Sequence, residues 1–343
     1  MVRSRVRNAQ GLQLSCYTFP AKNPVAHIIF HHGYGTGGRF EFLRASEPGG
    51  PHDSYHDSFI QVMCDHGLTV IVMDMQGMGD SERVRTSVSA YFERFEHLAE
   101  DLLAVTDAVR QRTSLPIYWL AISMGGAVVS RALQLRAEAV SGVVLLAPMI
   151  SLTKVQEEYV VPALGIRNRH LRPVMHQMSE CLPTLPVVRK ADNTVHPHVD
   201  QEYKTDKQNY HGAVRARVAA EFVGVTEALM APRGERSLGR VRVANALLMH
   251  ARADTFVEPN GSRAFFERAQ CPGSKALLLF GGAAASSELC TAGPPTALAE
   301  LEAIKDVNMW HALTQEPGAE RLAAAAAKWV CACNARVRSG QRA

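Results

Sequence analysis

The strongest constraint on this chain is a set of short runs that are almost wholly apolar. LTVIVMD at 68–74, IYWLAI at 117–122 and GVVLLA at 142–147 show no alternation of polar and apolar residues. A strand with one wet face alternates; a strand covered on both faces does not need to. Between the runs lie helical periods. From 91 to 112, Tyr91, Phe95, Leu98, Leu102, Val105 and Val109 recur at steps of three and four, which places one apolar stripe against a sheet. A second helix is expected over 125–135. Strands alternating with helices predict an α/β fold with a mostly parallel, doubly wound sheet.

Earlier runs at 12–19 and 26–31 extend the sheet, and later ones at 244–251 and 275–280 rejoin it. Helices are expected at 259–270 and 319–333. The rhythm breaks at Pro148. Prolines and mixed charges then fill 151–240, with one helix expected over 214–230. The expected organisation is a core from 1–150, a cap inserted at 151–240, and the rest of the core at 241–335. A small, partly helical or mobile excursion interrupts that second part at 281–303, and a basic tail follows at 336–343.

The chain has 343 residues, 47% of them hydrophobic, enough for a large core. Its formal charge of +4 is too slight to imply nucleic acid. Arginines gather near both ends (Arg3, Arg5, Arg7; Arg336, Arg338, Arg342) and read as solvated tails, or as weak attraction to anionic membranes. Seven cysteines, an odd count with no CxxC pair, argue for reduced thiols in an intracellular compartment. Cys331 and Cys333 lie two apart in an expected helix and so point different ways. MVRSRVRNAQ has no apolar stretch behind it, unlike a secretory signal. No run approaches the roughly 20 apolar residues of a membrane span. A soluble, cytoplasmic protein is expected, with peripheral membrane contact left open.

Within this frame WLAISMGG, at 119–126, places Ser123 between a strand and a helix. Ligands of open parallel sheets bind at the carboxyl ends of the strands. A serine on a sharp strand-to-helix turn is exposed there, and the turn demands small neighbours two positions away. Ala121 and Gly125 occupy those positions. The alternative is an ordinary helix N-cap serine. A nucleophilic serine also needs oxyanion donors and a base. IIFHHGYGTGG at 28–38 ends a strand in His31, His32 and a glycine-rich loop, which offers the backbone N–H of Tyr34 beside that of Met124. His31 and His32 also admit a structural or metal-binding role. His311, in DVNMWHALTQEP, follows the last core strand, and Asp254, in MHARADTFVEP, follows the strand before it. Asp74 and Glu258 compete as acids, although Asp74 suits the anchoring of the MQGMGDSE turn. For His32, His250 and His211, packing or substrate contact is expected. His52 and His56, at helical spacing, read as a solvated helix start.

HHGYG, MDMQGMGDSE, AISMGG, LLMHARADTFVEP and MWHALTQEP occur in this order. Together they resemble the monoacylglycerol lipase and lysophospholipase branch of the α/β-hydrolases, itself similar to serine aminopeptidase-type hydrolases. YHGAVRARVAAEF at 210–222 resembles the closing helix of that family's cap. The resemblance implies an α/β-hydrolase fold, Ser123 as nucleophile, Asp254 as acid, His311 as base, and Tyr34 and Met124 as oxyanion donors. It implies a lipid-like ester of a single long acyl chain as substrate and no metal or organic cofactor. The sequence departs from the family in Ala121, where glycine is usual, and in Ile122, where histidine is usual. Val160, Val161, Leu164, Leu171, Phe222 and Leu229 of the cap are candidates to line an acyl tunnel, or simply to pack the cap. Another esterase or an aminopeptidase on the same core, and a non-catalytic ligand-binding protein, are the alternatives.

Overall fold

Among the described residues, nine strands build one sheet, numbered here in chain order. They are β1 (Val2–Arg7), β2 (Gln13–Phe19), β3 (Ala26–His31), β4 (Leu68–Met73), β5 (Ile117–Ile122), β6 (Gly142–Leu146), β7 (Ala246–Ala251), β8 (Lys275–Phe280) and β9 (Glu288–Ala292). The computed structural model describes residues 1–47, 49–161, 166–189, 192–281, 287–294 and 296–338. The strand order is β1-β2-β4-β3-β5-β6-β7-β8-β9. The five pairings from β4 through β3, β5, β6 and β7 to β8 are all parallel. β1 and β2 at one edge and β9 at the other pair antiparallel. Every residue of β4, β5, β6 and β7 is buried, as their unbroken apolar runs require.

Two apolar layers cover the two faces. One gathers α3 (Phe95–Arg110) and α4 (Met124–Leu135) around Trp119, Leu145 and Leu248. The other gathers α2 (Phe59–Asp65) and α11 (Ala319–Arg338) around Phe30, Leu120 and Trp329. α9 (Pro259–Arg268) follows β7, and α1 (Gly38–Phe42) follows β3. Between β6 and β7 the chain leaves the sheet to form α5 (Thr153–Glu157), α6 (Arg172–Cys181), α7 (Pro197–Thr205) and α8 (Ala216–Met230). No helix among the described residues is long and apolar enough to cross a membrane.

Several expectations need correction. Arg3, Arg5 and Arg7 do not sit on a tail: they alternate along edge strand β1, with Arg3 paired to Asp80 at 3.2 Å. The expected helix at 91–112 begins only at Phe95, whose N–H is taken by Glu221 at 2.7 Å, and Ala90 just before it has a positive φ of 51°. Val214–Arg215 pairs with Pro186–Val188, so the helix expected from 214 starts at Ala216. His52 does not start a helix: it lies in a short strand, buried, with its Nδ1 bonded to the carbonyl of Phe40 at 3.0 Å. His56 is exposed. The excursion at 281–303 contributes a sheet strand, β9, and α10 (Leu298–Glu302); its residues 282–286 and 295 lie outside the described residues. The basic tail is the end of α11 up to Arg338, and 339–343 lie outside the described residues.

Candidate active site

β5 ends at Ile122 and α4 begins at Met124, so one residue turns the chain from sheet to helix. That residue, Ser123, has φ 53° and ψ −123°, a region that non-glycine residues rarely enter. Its strain is held by the surroundings. Its N–H bonds Leu146 O at 3.0 Å, and its carbonyl accepts from Gly126 N at 2.9 Å and Met149 N at 2.8 Å. α4 can start this close to the sheet only because two side chains are missing. A Cβ on Gly125 would lie 2.8 Å from His31 O, and one on Gly126 would lie 2.3 Å from the Pro148 Cβ. Ser123 makes no side-chain cap hydrogen bond, so the N-cap alternative does not describe it.

The side chain points at His311 instead. Ser123 Oγ lies 3.0 Å from His311 Nε2, and His311 Nδ1 lies 2.7 Å from Asp254 Oδ2. A carboxylate only accepts, so Nδ1 carries the proton, and Nε2 accepts from the serine hydroxyl. The three side chains, distant in sequence, thus form one hydrogen-bonded line. Asp254 is buried to 1% exposure directly after β7. Its Oδ1 accepts from Phe256 N and Val257 N, both at 2.8 Å. Its Oδ2 also accepts from His250 Nε2 at 3.1 Å, and His250 Nδ1 in turn accepts from Ser262 Oγ at 2.7 Å. Burial pushes the Asp254 carboxyl up, but the charges and hydrogen bonds of His311 and His250 outweigh it and hold it well below the usual range. Burial depresses His311, while Asp254 first, then Glu316 and Glu41, raise it; the net displacement is upward.

The loop after β3 lies over the serine. A Cβ on Gly33 would stand 3.4 Å from Ser123 Cβ and 3.9 Å from its Oγ, so backbone of this loop passes beside the hydroxyl. Met124 opens α4, where the first N–H groups have no acceptor within the helix. The Tyr34 ring packs edge-on against Phe222 of α8 at 5.2 Å, and its hydroxyl donates to Ala90 O at 2.8 Å. His31 and His32 are fully buried. His32 donates from Nδ1 to Gly33 O at 2.8 Å and accepts from Met75 N at 3.0 Å, which ties β3 to β4. Burial lowers the His31 pKa to about 3. Among the described residues no cluster of three or more His, Cys, Asp or Glu is placed to hold a metal ion.

The competing acids are engaged elsewhere. Asp74 accepts from Gly38 N at 2.7 Å, Asp80 N at 2.8 Å and Tyr17 Oη at 3.1 Å, and so anchors the turn after β4. Glu258 accepts from Ser151 Oγ at 2.6 Å. His211 bonds Tyr203 O at 3.0 Å. Of the tunnel candidates, Phe222 stands by Tyr34, whereas Leu229 lines a separate cavity of about 260 Å³ with Arg94, Arg131 and Arg236. Leu171 is 38% exposed; Leu164 and the side chains of Val160 and Val161 lie outside the described residues. Two contacts escaped the sequence reading: the support of Asp254 by His250, and the bonds of Glu316 to the His311 loop. HALTQE displays the second residue, but nothing local shows where it reaches.

Comparison with known proteins adds to the geometry. Over 145 residues the chain is 30% identical to the monoglyceride lipase of Rattus norvegicus; the aligned stretch spans 42% of this chain and 42% of that protein. Among solved structures it is similar to the monoacylglycerol lipase of Paleococcus ferrophilus, with TM-score 0.64, 17% identity, and 93% and 99% of the two chains covered. It is also similar to a soluble variant of monoglyceride lipase from Saccharomyces cerevisiae in complex with a substrate analog, with TM-score 0.62, 15% identity, and 82% and 86% covered. These likenesses show the α/β-hydrolase fold. Residues 50–284, more than half of the chain, match the hydrolase family described as Serine aminopeptidase, S33, and the chain belongs to that family.

Proposed function

We propose that the protein is a serine carboxylic ester hydrolase acting on a single long acyl chain, a monoacylglycerol or a lysophospholipid. One observation supports this above all: Asp254, His311 and Ser123 lie in a hydrogen-bonded line of 2.7 and 3.0 Å. In this reading Ser123 Oγ attacks the ester carbonyl carbon as its proton passes to His311 Nε2. The N–H groups of Tyr34 and Met124 receive the developing oxyanion, and losing one such donor typically costs about 2.7–4 kcal/mol of barrier. Collapse breaks the ester C–O bond, and His311 gives its proton to the departing alkoxide oxygen. Water then attacks the acyl-serine, His311 takes a proton from it, and the serine leaves with that proton as the fatty acid is released. Asp254 stays ionised throughout and steadies the imidazolium.

Residues 151–240 act as a cap over this centre, between core parts at 1–150 and 241–335. Phe222 beside Tyr34, and Phe256 at 4.9 Å from the His311 ring, favour an apolar acyl group. Leu171, Val174, Leu182, Leu185 and Val188, all between β6 and β7, are each exposed, and exposed apolar side chains of this kind favour peripheral contact with a lipid surface. The aminopeptidase description of the family favours one rival, cleavage of an aminoacyl amide. Release of fatty acid from monoacylglycerol, lysophosphatidylcholine and a short-chain ester, beside release of nitroaniline from aminoacyl nitroanilides, decides between them. Fatty acid release from one of the two lipids at the higher kcat/KM supports the proposal. Turnover of the anilides alone overturns it.

A further inference from the structure

Glu316 is a glutamate with no exposed surface. A buried carboxylate is tolerable only when donors surround it. Four do. Oε2 accepts from Trp310 N at 2.5 Å; Oε1 accepts from His311 N at 3.1 Å, Ala312 N at 3.0 Å and Asn193 Nδ2 at 2.8 Å. Three successive peptide N–H groups, centred on His311, thus converge on one anion. Fixing those peptides fixes the direction in which the imidazole leaves the backbone. The fourth donor comes from the segment between β6 and β7. Asn193 Oδ1 accepts from Val195 N at 3.1 Å and His196 N at 2.8 Å, and the His196 ring bonds Asn308 O at 3.1 Å. That segment therefore grips the His311 loop on both sides of Trp310. Farther on, Tyr210 N donates to Gly35 O at 2.8 Å, so it also touches the loop that carries Tyr34.

We propose that Glu316, completed by Asn193, is a positioning residue: it holds the His311 backbone so that the imidazole meets Ser123 and Asp254 together. It touches no reacting atom. The inference rests on the serine-hydrolase reading and adds to it a role for the cap in placing the base. The charged and titratable groups facing His311 are Asp254, with His250 behind it, Glu41 from α1, and Glu316; His196 faces Glu316 at 4.0 Å. Removing the Glu316 charge therefore withdraws one of three anions that favour protonated His311.

The test compares wild type with Glu316→Gln, Asn193→Ala and Asn193→Asp on a short-chain nitrophenyl ester across pH. Misplacing a catalytic group by about 1 Å costs about 100-fold, so Glu316→Gln should lose about 100-fold in kcat with KM little changed. The midpoint of its acid limb should move to lower pH. Asn193→Ala should lose less, and Asn193→Asp more than Asn193→Ala, because a second carboxylate then meets Glu316. A structural role alone would lower the melting temperature without moving the acid limb. Should Glu316→Gln fail to fold, the two Asn193 variants decide. Variants that melt as wild type does, with kcat and acid limb within twofold of it, overturn the proposal. A wild type without turnover or fluorophosphonate labelling would instead overturn the serine-hydrolase reading. The low-field proton resonance of His311 Nδ1–H would then still test positioning, and its persistence unchanged in Asn193→Asp would overturn this inference.

Discussion

Substituting Asp254 by Asn changes one atom of the acid and, in this site, reverses a proton. Oδ1 of Asp254 accepts two backbone N–H groups, from Phe256 and Val257, at 2.8 Å each. The asparagine carbonyl must take that place, since an NH2 there would face two donors. Its NH2 group is then forced onto the Oδ2 position, where it meets His250 Nε2 at 3.1 Å and His311 Nδ1 at 2.7 Å. Facing a donor, His311 Nδ1 becomes an acceptor and the ring proton moves to Nε2. Nε2 then donates to Ser123 Oγ instead of accepting its proton. The wrong tautomer in such a site lowers kcat by about 10⁴-fold, about 5 kcal/mol of barrier at 1.36 kcal/mol per tenfold. Steady-state hydrolysis of a short-chain nitrophenyl ester by Asp254→Asn measures it, with circular dichroism confirming the fold. A variant within tenfold of wild type would refute the tautomer argument.

The remaining predictions concern pH and packing. His311 must be neutral to take the serine proton, and its pKa is displaced upward. kcat/KM should therefore rise with pH to a midpoint above the ordinary imidazole value of about 6.5; a midpoint below it would contradict the balance of charges around the ring. Asp254, displaced downward, should stay ionised across that limb, so no second acid-side break is expected down to about pH 4. Gly126→Ala would bring a Cβ to 2.3 Å from Pro148 Cβ. Overpacking of this kind costs about 1–3 kcal/mol, and the melting temperature should fall with the loss of activity; an unchanged melting curve would show that the turn at Ser123 has room to spare.

Which parts of this molecule were legible in the sequence follows from where their information lies. β4, β5 and β6 declare themselves, because strands covered on both faces have no polar residues to confuse the pattern. β1 hid behind its arginines: an edge strand with one wet face can place Arg3, Arg5 and Arg7 toward solvent and still pair with β2. β9 was obscured by the glycine- and alanine-rich stretch before it. Ser123 and Asp254 were legible because each follows a parallel strand, and the carboxyl ends of such strands converge at one rim. His311 comes after antiparallel β9 and α10, so it was legible only from the motif around it, ahead of α11. His52 and Glu316 were not. The first owes its burial to carbonyls nine and twelve residues away, and the second meets Asn193 across a separation of 123 residues. A motif shows which side chain is present, but only the folded chain shows what it reaches.

The central claim is that one alcohol in this chain is made reactive by one imidazole. Treating the intact protein with a fluorophosphonate, then mapping the adduct by peptide mass spectrometry, tests it most directly. The account predicts a single adduct on Ser123 in the wild type, none in Ser123→Ala, and strongly slowed labelling in His311→Ala. An adduct on another residue, no adduct at all, or labelling of His311→Ala at the wild-type rate would contradict it.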